Sequence, residues 1–299
     1  MTAAAPEAAG AGGGPTVVRM LLGAHLRRLR ESKGITRAAA AWPIRASESK
    51  ISRMELGRVG FKERDVADLL TLYGVADDNE RERLLALVHD ANAPGWWHSY
   101  TDVFPDWFEQ YLGLEAGASM IRTYEIQFVP GLLQTKEYAQ AVVMLQHGSA
   151  PESELERRVE LRATRQEVLF RQPDPVQLWA VVDEAALRRP VGTLEVMRRQ
   201  VESLVELAKR PNVILQVIPF RAGGHAAAGG NFSILRFPDP DLSDMVYIEQ
   251  LNSAQYLDKP GHADEYAVAM ERLCIQAEPP ERTPDILTSI IKDISVDHG

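Results

Sequence analysis

The sequence predicts an α+β multidomain protein, in which an N-terminal bundle of five helices is followed by an α/β domain with a mixed sheet. Apolar residues recur at helical spacing through residues 16–92. Beyond residue 119, strand-like segments alternate with helix-like ones. Residues 1–15 are rich in Ala, Gly and Pro and are expected to form a disordered tail. An aromatic-rich joint over residues 93–118 is predicted to separate the two domains.

The first helix of the bundle carries apolar residues at helical spacing between residues 18 and 29, and Gly34 is placed to end it. The same kind of pattern predicts a fourth helix around residues 66–73 and a fifth around residues 84–88. Before the third helix, an alanine run over residues 38–41 allows two helices to approach closely. Trp42 and Ile44 are expected to fill the space behind them.

The third helix is predicted to begin at Ser47, whose hydroxyl can accept a hydrogen bond from a backbone N–H left unpaired at a helix start. If Ile51 points into the core, an advance of about 100° per residue directs Ser49 and Arg53 outward and leaves Lys50 on a flank. Arg can pair with guanine O6 and N7, and Ser can serve several bases. Lys is better suited to a phosphate. This pattern predicts a DNA-reading helix.

Two segments of the bundle, LRRLRESKGIT at residues 26–36 and SESKISRMELGR at residues 47–58, resemble the Xre and lambda-repressor-like helix-turn-helix family. The resemblance covers roughly the first third of the chain. It implies that Arg37 touches a phosphate and that Glu48, like Ser49 and Arg53, faces base edges. Glu48 would also suit the helix dipole as an N-terminal acid. The residues assigned to DNA are Arg37, Ser47, Glu48, Ser49, Lys50, Arg53, Arg58 and Lys62.

The same resemblance assigns Arg30 and Glu55 to an internal ion pair. The sequence departs from the family at Arg45, where the turn usually has Gly, and at Pro43, near the end of the second helix. A non-glycine residue in a left-handed conformation is uncommon, so an irregular turn is expected here. The alternative for this segment is a plain helical bundle, which would not require a serine cap and a basic outward face in this order.

Basic residues are concentrated in the predicted bundle, although the chain as a whole is acidic, with 33 Lys and Arg against 42 Asp and Glu. Residues 17–75 contain 12 basic and 6 acidic side chains, a local balance of +6, and the remainder carries 21 basic and 36 acidic ones. A basic head on an acidic body presents the head to a polyanion and repels the rest. The distribution therefore favours nucleic acid as a partner.

The predicted joint contains too many aromatic rings for all of them to remain exposed to solvent, since each can bury about 150 to 250 Å². Packing between the two domains is favoured over a ligand cage. The rings are Trp96, Trp97, Tyr100, Phe104, Trp107, Phe108 and Tyr111.

The body is predicted to begin with a mixed strand-like segment over residues 119–128 and a turn at Pro130 and Gly131. Helices are predicted over residues 138–145, 155–170, 193–209 and 262–276, the last closing the domain. Buried strands are predicted over residues 176–183 and 213–218, and a strand pair over residues 232–237 and 245–250.

The body also resembles a domain of uncharacterised function that follows an Xre-type helix-turn-helix in many developmental and antitoxin-like regulators of actinomycetes. The motifs are WW and YxxLExxA near residues 96–116, IRTYEIQFVPGLLQT at residues 121–135, RxxRQ at residues 162–166, and NVILQVIPF. VPGLLQT is the strongest of them. The resemblance implies transcription regulation and, in some members, a small protein partner encoded by the adjacent gene.

No motif supports catalysis. The loop RAGGHAAAGG at residues 221–230 lacks the GK[ST] ending and the GxGxxG spacing of phosphate loops, and a strand-like segment follows it. The seven histidines show no metal-ligand spacing. The expectation is therefore a protein that is not an enzyme and that uses no cofactor or metal.

The lone Cys274 excludes an intramolecular disulfide, which fits a reducing compartment. The N-terminal tail lacks the basic and apolar regions of a signal peptide, and no apolar run approaches the ~20 residues of a spanning helix. A cytoplasmic protein without a membrane partner is expected.

The sequence thus predicts a transcription regulator that binds double-stranded operator DNA as a homodimer, with a C-terminal domain that binds a small-molecule effector or a protein. Paired heads about 34 Å apart would read a palindrome. The alternative is an antitoxin-like protein that sequesters a small protein from the neighbouring gene and autoregulates its operon. An enzymatic body tethered to DNA is a third hypothesis.

Overall fold

A computed structural model describes residues 14–227 and 229–296, without the side chains of residues 260, 295 and 296. The described residues form two compact units, residues 14–98 with 237–242 and residues 99–236 with 243–296. Apart from its last two residues, the predicted tail lies outside the described part of the chain. Five helices followed by an α/β region with a mixed sheet confirm the predicted fold class.

The first unit consists of the five predicted helices. They are α1 (Pro15–Ser32), α2 (Arg37–Ala41), α3 (Glu48–Glu55), α4 (Glu63–Leu72) and α5 (Asp78–Asn92). Pro15 fits the first turn of α1, where no backbone N–H is needed. Gly34 follows that helix with φ +65° and donates its N–H to the Glu31 carbonyl at 3.0 Å, as the predicted helix end requires. Apolar side chains from all five helices form one core.

Helices α1 and α3 meet at backbone contact. A Cβ atom added to Gly23 would lie 2.8 Å from the Glu55 carbonyl oxygen, closer than real Cβ atoms approach. Gly57, with φ +65°, lies just as close to the backbone of Met20. Two glycines therefore set the distance at which α1 holds the predicted DNA-reading helix.

The prediction for Trp42 is wrong. Its side chain is 86% exposed, whereas Ile44 lies in the core as expected. Helix α2 has only five residues, and Ala40 and Ala41 already occupy its buried face. The residue after them is rotated by about 100° away from that face, so Trp42 points to solvent.

The second unit contains a six-stranded mixed sheet in the order β3-β2-β1-β4-β5-β6. Strands β1, β2 and β3 are parallel neighbours, and β4, β5 and β6 continue the sheet antiparallel. The strands are β1 (Met120–Glu125), β2 (Gln177–Asp183), β3 (Val213–Ile218), β4 (Phe232–Arg236), β5 (Met245–Glu249) and β6 (Ala254–Leu257).

Seven helices accompany the sheet within the described residues. They are α6 (Asp106–Gly117), α7 (Lys136–His147), α8 (Glu152–Arg165), α9 (Glu184–Arg188), α10 (Leu194–Leu207), α11 (Pro260–Gln276) and α12 (Thr283–Val296). The sequence did not predict α6, α9, α12 or β6. The helix predicted to run to residue 170 ends at Arg165 and continues as one 3-10 turn over residues 166–169, and α11 does not close the domain because α12 follows it.

The sheet has two different faces. On one face, Tyr124, Val181 and Phe232 pack with the apolar side of α11 in a continuous core. On the other face, Thr123, Ser233 and Tyr247 lie side by side in register on β1, β4 and β5. Because side chains alternate along a strand, this row of polar side chains lies on the face opposite the apolar core.

Candidate nucleic-acid interface

Helix α3 begins where the sequence predicted. The Ser47 hydroxyl accepts a hydrogen bond from the Lys50 backbone N–H at 3.1 Å, while Ser47 itself keeps an extended conformation. This contact satisfies one of the N–H groups that have no partner within the helix. The cap fixes the rotation of α3 and therefore which side chains face outward.

The outward face of α3 carries Glu48, Ser49 and Arg53, all of them exposed. Ile51 and Met54, on the opposite side, are 1% exposed. The Arg53 side chain forms neither a hydrogen bond nor an ion pair with any residue that the structure describes. Its guanidinium is thus available to a base edge or a phosphate.

The turn between α2 and α3 is left-handed at a non-glycine residue. Arg45 has φ +50°, and its N–H donates to the Trp42 carbonyl at 3.1 Å. The next residue, Ala46, closes the turn on the Ala41 carbonyl at 2.9 Å. The irregularity expected at Arg45 is thus confined to its strained backbone conformation. The turn leaves Arg45 and Trp42 exposed next to α3.

A buried ion pair ties α1 to the end of α3, as the family resemblance implied. Arg30 donates through Nε and Nη2 to the two carboxylate oxygens of Glu55, the second bond measuring 3.1 Å. The hydrogen bond with Glu55 raises the pKa of Arg30. Arg37, assigned to a phosphate, also donates to Glu55, at 3.0 Å, and remains about one-third exposed. The carboxylate therefore fixes the side chain of Arg37 at the start of α2.

Lys50 lies on the flank of α3, and its ammonium group contacts the Asp65 carboxylate on α4 at 2.6 Å. The pair is half-buried. A phosphate would therefore have to share this lysine with Asp65. The last two residues assigned to DNA, Arg58 and Lys62, are exposed in the segment between α3 and α4. Two of the predicted DNA contacts, Arg37 and Lys50, have the acidic partners Glu55 and Asp65, which the sequence analysis did not identify.

Five of the rings assigned to the interdomain joint belong to the second unit, and four of them, all but Tyr100, lie at or on α6. Phe104 precedes α6, and Trp107, Phe108 and Tyr111 lie on it. Tyr111 packs on Tyr247 of β5 with ring centroids 4.1 Å apart. All four rings line one or both of two adjoining cavities, with volumes of about 160 and 760 Å³. The ligand-cage alternative for these rings therefore has a structural basis within this unit.

The histidine of the loop at residues 221–230 has a structural contact. His225 lies 2.8 Å from the Tyr124 hydroxyl and 3.8 Å from the Asp183 carboxylate. Residue 228 of this loop is outside the described residues. Within the described part of the chain, no three His, Cys, Asp or Glu side chains are grouped as a metal site, and no helix has the length and apolar character needed to cross a membrane.

Comparison with protein families gives two matches. A helix-turn-helix domain model matches residues 21–84, which run from within α1 into α5 and include the whole candidate interface up to Lys62. A model described as a domain of unknown function (DUF5753) matches residues 108–289, more than half of the chain. No curated protein and no solved structure shows detectable similarity. The first match assigns DNA binding to the first unit.

Proposed function

The chain belongs to the family defined by the domain of unknown function DUF5753, here preceded by a helix-turn-helix domain, and we propose that it is a sequence-specific, dimeric transcription regulator with an effector-binding C-terminal domain. The DNA-reading part of this proposal rests on Arg53. Its guanidinium is exposed on a capped helix and has no partner among the described residues. Ser49 on the same face supplies a second group for base edges.

The proposed dimer follows from the size of the reading surface. One helix of eight residues reaches only a few base pairs, and specific recognition requires a larger contact area. Two copies with their reading helices about 34 Å apart would contact successive major grooves of a palindrome. The acidic remainder of each chain would keep the other surfaces away from the phosphates.

The proposed effector site is the pair of cavities in the second unit. Concave sites with an apolar wall and a few polar groups are where small molecules bind in most proteins. No catalytic step forms part of the proposal. The glycine-containing loop after β3 leads into β4 rather than into a helix whose N-terminus would hold a phosphate.

Selection from a pool of random duplex DNA tests the proposal with the full-length protein. We expect enrichment of a palindrome with half-site centres about 10 base pairs apart. Arg53→Ala should lose preference at one position of each half-site, whereas Arg83→Ala on α5, outside the reading helix, should keep the wild-type motif. Failure to enrich any motif, or a motif unaffected by Arg53→Ala, would contradict the assignment.

A second candidate function, the sequestering of a small protein, rests on helix α11. Val268 and Ile275 lie seven residues apart, on one side of this helix, and both are exposed. Such an apolar surface suits a protein partner. Co-expression with the product of the neighbouring gene tests it. Co-purification that Ile275→Ser abolishes would support the antitoxin-like function.

A further inference from the structure

Three sequence motifs of the body converge on the smaller cavity of the second unit. Tyr111 and Glu115 come from YxxLExxA on α6, residues 129–134 come from VPGLLQT, and Arg162 and Arg165 come from RxxRQ on α8. The motifs are separated by up to about 50 residues in the chain, and DNA binding uses none of them. Their convergence identifies this cavity as a site built by the most distinctive parts of the domain.

Two of the motif residues hold the cavity wall together. Gln166 donates its side-chain amide to the carbonyls of Gln134, at 2.6 Å, and Gly131, at 3.2 Å, and so attaches α8 to the VPGLLQT turn. Arg165 donates through Nε and Nη2 to the two carboxylate oxygens of Glu115. Both side chains hold the cavity wall in position, and the charge of Arg165 already has an acidic partner.

Arg162 differs from the other cations that line the cavities. Arg158 pairs with Glu154 and Arg165 with Glu115. Arg162 lines both cavities, and its side chain forms no hydrogen bond and no ion pair with the residues that the structure describes. Desolvation by the surrounding protein lowers its pKa to about 10, so it remains charged at neutral pH. The Arg162 side chain is only partly exposed, and an anionic ligand in the cavity would supply the partner that its guanidinium lacks.

The acidic groups of the same cavity limit the charge of such a ligand. Glu249, on β5, accepts a hydrogen bond from the Tyr247 hydroxyl at 2.8 Å. Burial, together with the neighbouring Glu249, raises the pKa of Glu125 at the end of β1 to about 8. At neutral pH Glu125 is therefore mostly a neutral carboxylic acid that can donate a hydrogen bond. One unpaired cation, one additional donor and one nearby carboxylate suit a singly charged anion better than a dianion.

The walls supply flat apolar surface. Phe108 stacks on Tyr111 with ring centroids 5.4 Å apart and an interplanar angle of 23°. Phe108 lies between the two cavities and lines both, and Trp107 and Val143 line the larger one. A cavity of about 760 Å³ falls within the range of small-molecule sites. An aromatic ring would gain stacking and burial against these side chains.

We propose that the second unit binds a small aromatic carboxylate, with its carboxylate on Arg162 and its ring against Phe108 in the larger cavity. The planar guanidinium matches the two oxygens of a carboxylate. This inference deepens the proposed function and rests on the effector-binding part of it. The ligand site involves neither Arg53 nor the dimeric arrangement on a palindrome.

Isothermal titration calorimetry of the full-length protein without DNA tests the proposal. The probes are 4-hydroxybenzoate and indole-3-acetate, their primary amides, and inorganic phosphate. The variants are Arg162→Gln and, as a matched control, Arg199→Gln, which removes an exposed arginine that pairs with Glu195 on α10. We expect at least one carboxylate to bind the wild type and the control equally. Its amide, and the Arg162→Gln variant, should bind about tenfold more weakly or worse.

The thermal midpoint of the ligand-free protein provides a second readout. Because Arg162→Gln removes a charge that has no partner among the described residues, the variant should melt at the same temperature as the wild type or higher. A marked fall would show that Arg162 supports the fold instead. Equal affinity for acid and amide, tighter binding of phosphate, or no binding of any probe at millimolar concentration would overturn the proposal. DNA selection on the same preparation distinguishes that outcome from failure of the DNA-binding assignment.

Discussion

Arg165 and Glu115 form a bidentate ion pair beneath the cavity of the second unit, with Nε to Oε1 at 2.8 Å and Nη2 to Oε2 at 2.9 Å. Both side chains are buried. The guanidinium carbon also lies 5.2 Å from the ring centroid of Phe108 and 5.3 Å from that of Tyr111. The pair thereby connects α6, α8 and the aromatic wall.

Glu115→Ala should destabilise the protein by about 3 to 5 kcal/mol, because it leaves the Arg165 charge buried without its partner. Urea unfolding of the full-length protein measures the loss. Glu195→Ala is the control, since Glu195 pairs with Arg198 and Arg199 on the surface, where ion pairs contribute little to stability. Similar losses in the two variants would contradict the role given to burial.

Gly23→Ala should disrupt the packing of α1 against α3, because the added methyl group would overlap the carbonyl oxygens of Met54 and Glu55. We expect a loss of about 1 to 3 kcal/mol, the usual cost of overpacking, together with weaker DNA binding. Thermal unfolding and a DNA titration measure the two effects. Gly261→Ala is the control, because a Cβ atom at this position of α11 meets open space. A Gly23→Ala variant as stable as this control would exclude the close approach.

Arg45→Gly should stabilise the first unit by about 1 kcal/mol, because a side chain at φ +50° carries a steric cost that glycine avoids. Gly34→Ala is the matched opposite. A Cβ atom there also meets open space, but φ is +65°, so the backbone alone should make the variant about 1 kcal/mol less stable. Chemical unfolding of both variants checks the signs. A loss of stability in Arg45→Gly would indicate that the arginine side chain has a supporting contact.

Lys50→Ala should weaken binding to all DNA sequences alike and lower the slope of log affinity against log salt by about 1, if Lys50 meets a phosphate. The ion pair with Asp65 competes for this lysine. Asp65→Asn should therefore strengthen DNA binding while leaving the preferred sequence unchanged. Fluorescence anisotropy over a range of salt concentrations gives both quantities. No change in either variant would assign Lys50 to the internal pair alone.

The sequence predicted the elements whose patterns are local. The Ser47 cap, the Gly34 terminus and the β-branched runs of β2 and β3 each depend on a few neighbouring residues, and all are present in the structure. Helix α6 was not predicted because its aromatic and apolar residues surround it, so that no single apolar stripe stands out. Strand β6 has only four residues, which is too short for an alternating pattern.

The partners of the predicted site residues depend on contacts between distant segments. Lys50 and Asp65 lie 15 residues apart, and Arg37 and Glu55 lie 18 apart, so helical periodicity indicates their faces but not their pairing. The cavity also depends on contacts between distant segments, because its three motifs lie far apart in the sequence and meet only in the folded domain. The YxxLExxA, VPGLLQT and RxxRQ motifs are visible in the sequence, but only the fold shows that they line one cavity.

Glu125 should make stability depend on pH. Its pKa is raised to about 8 in the folded protein by burial and by Glu249, from an ordinary value of 4.5. The folded state therefore holds a proton that the unfolded state releases, so this carboxyl makes the protein less stable as pH rises from about 4.5 to 8. The titratable, charged and hydrogen-bonding groups around it are Thr123, Tyr111, Tyr138, Arg165 and Glu249.

Glu125→Gln should remove this contribution, so that the variant gains stability relative to the wild type as pH rises through that window. The tyrosines stay protonated there, because burial raises the pKa values of both Tyr111 and Tyr138. Urea unfolding at pH 5 and pH 8.5 measures the difference, with Glu160→Gln, at an exposed position of α8, as the control. Parallel stability profiles for the wild type and Glu125→Gln would show that Glu125 is ionised in the folded protein, and the cavity would then lose its neutral hydrogen-bond donor.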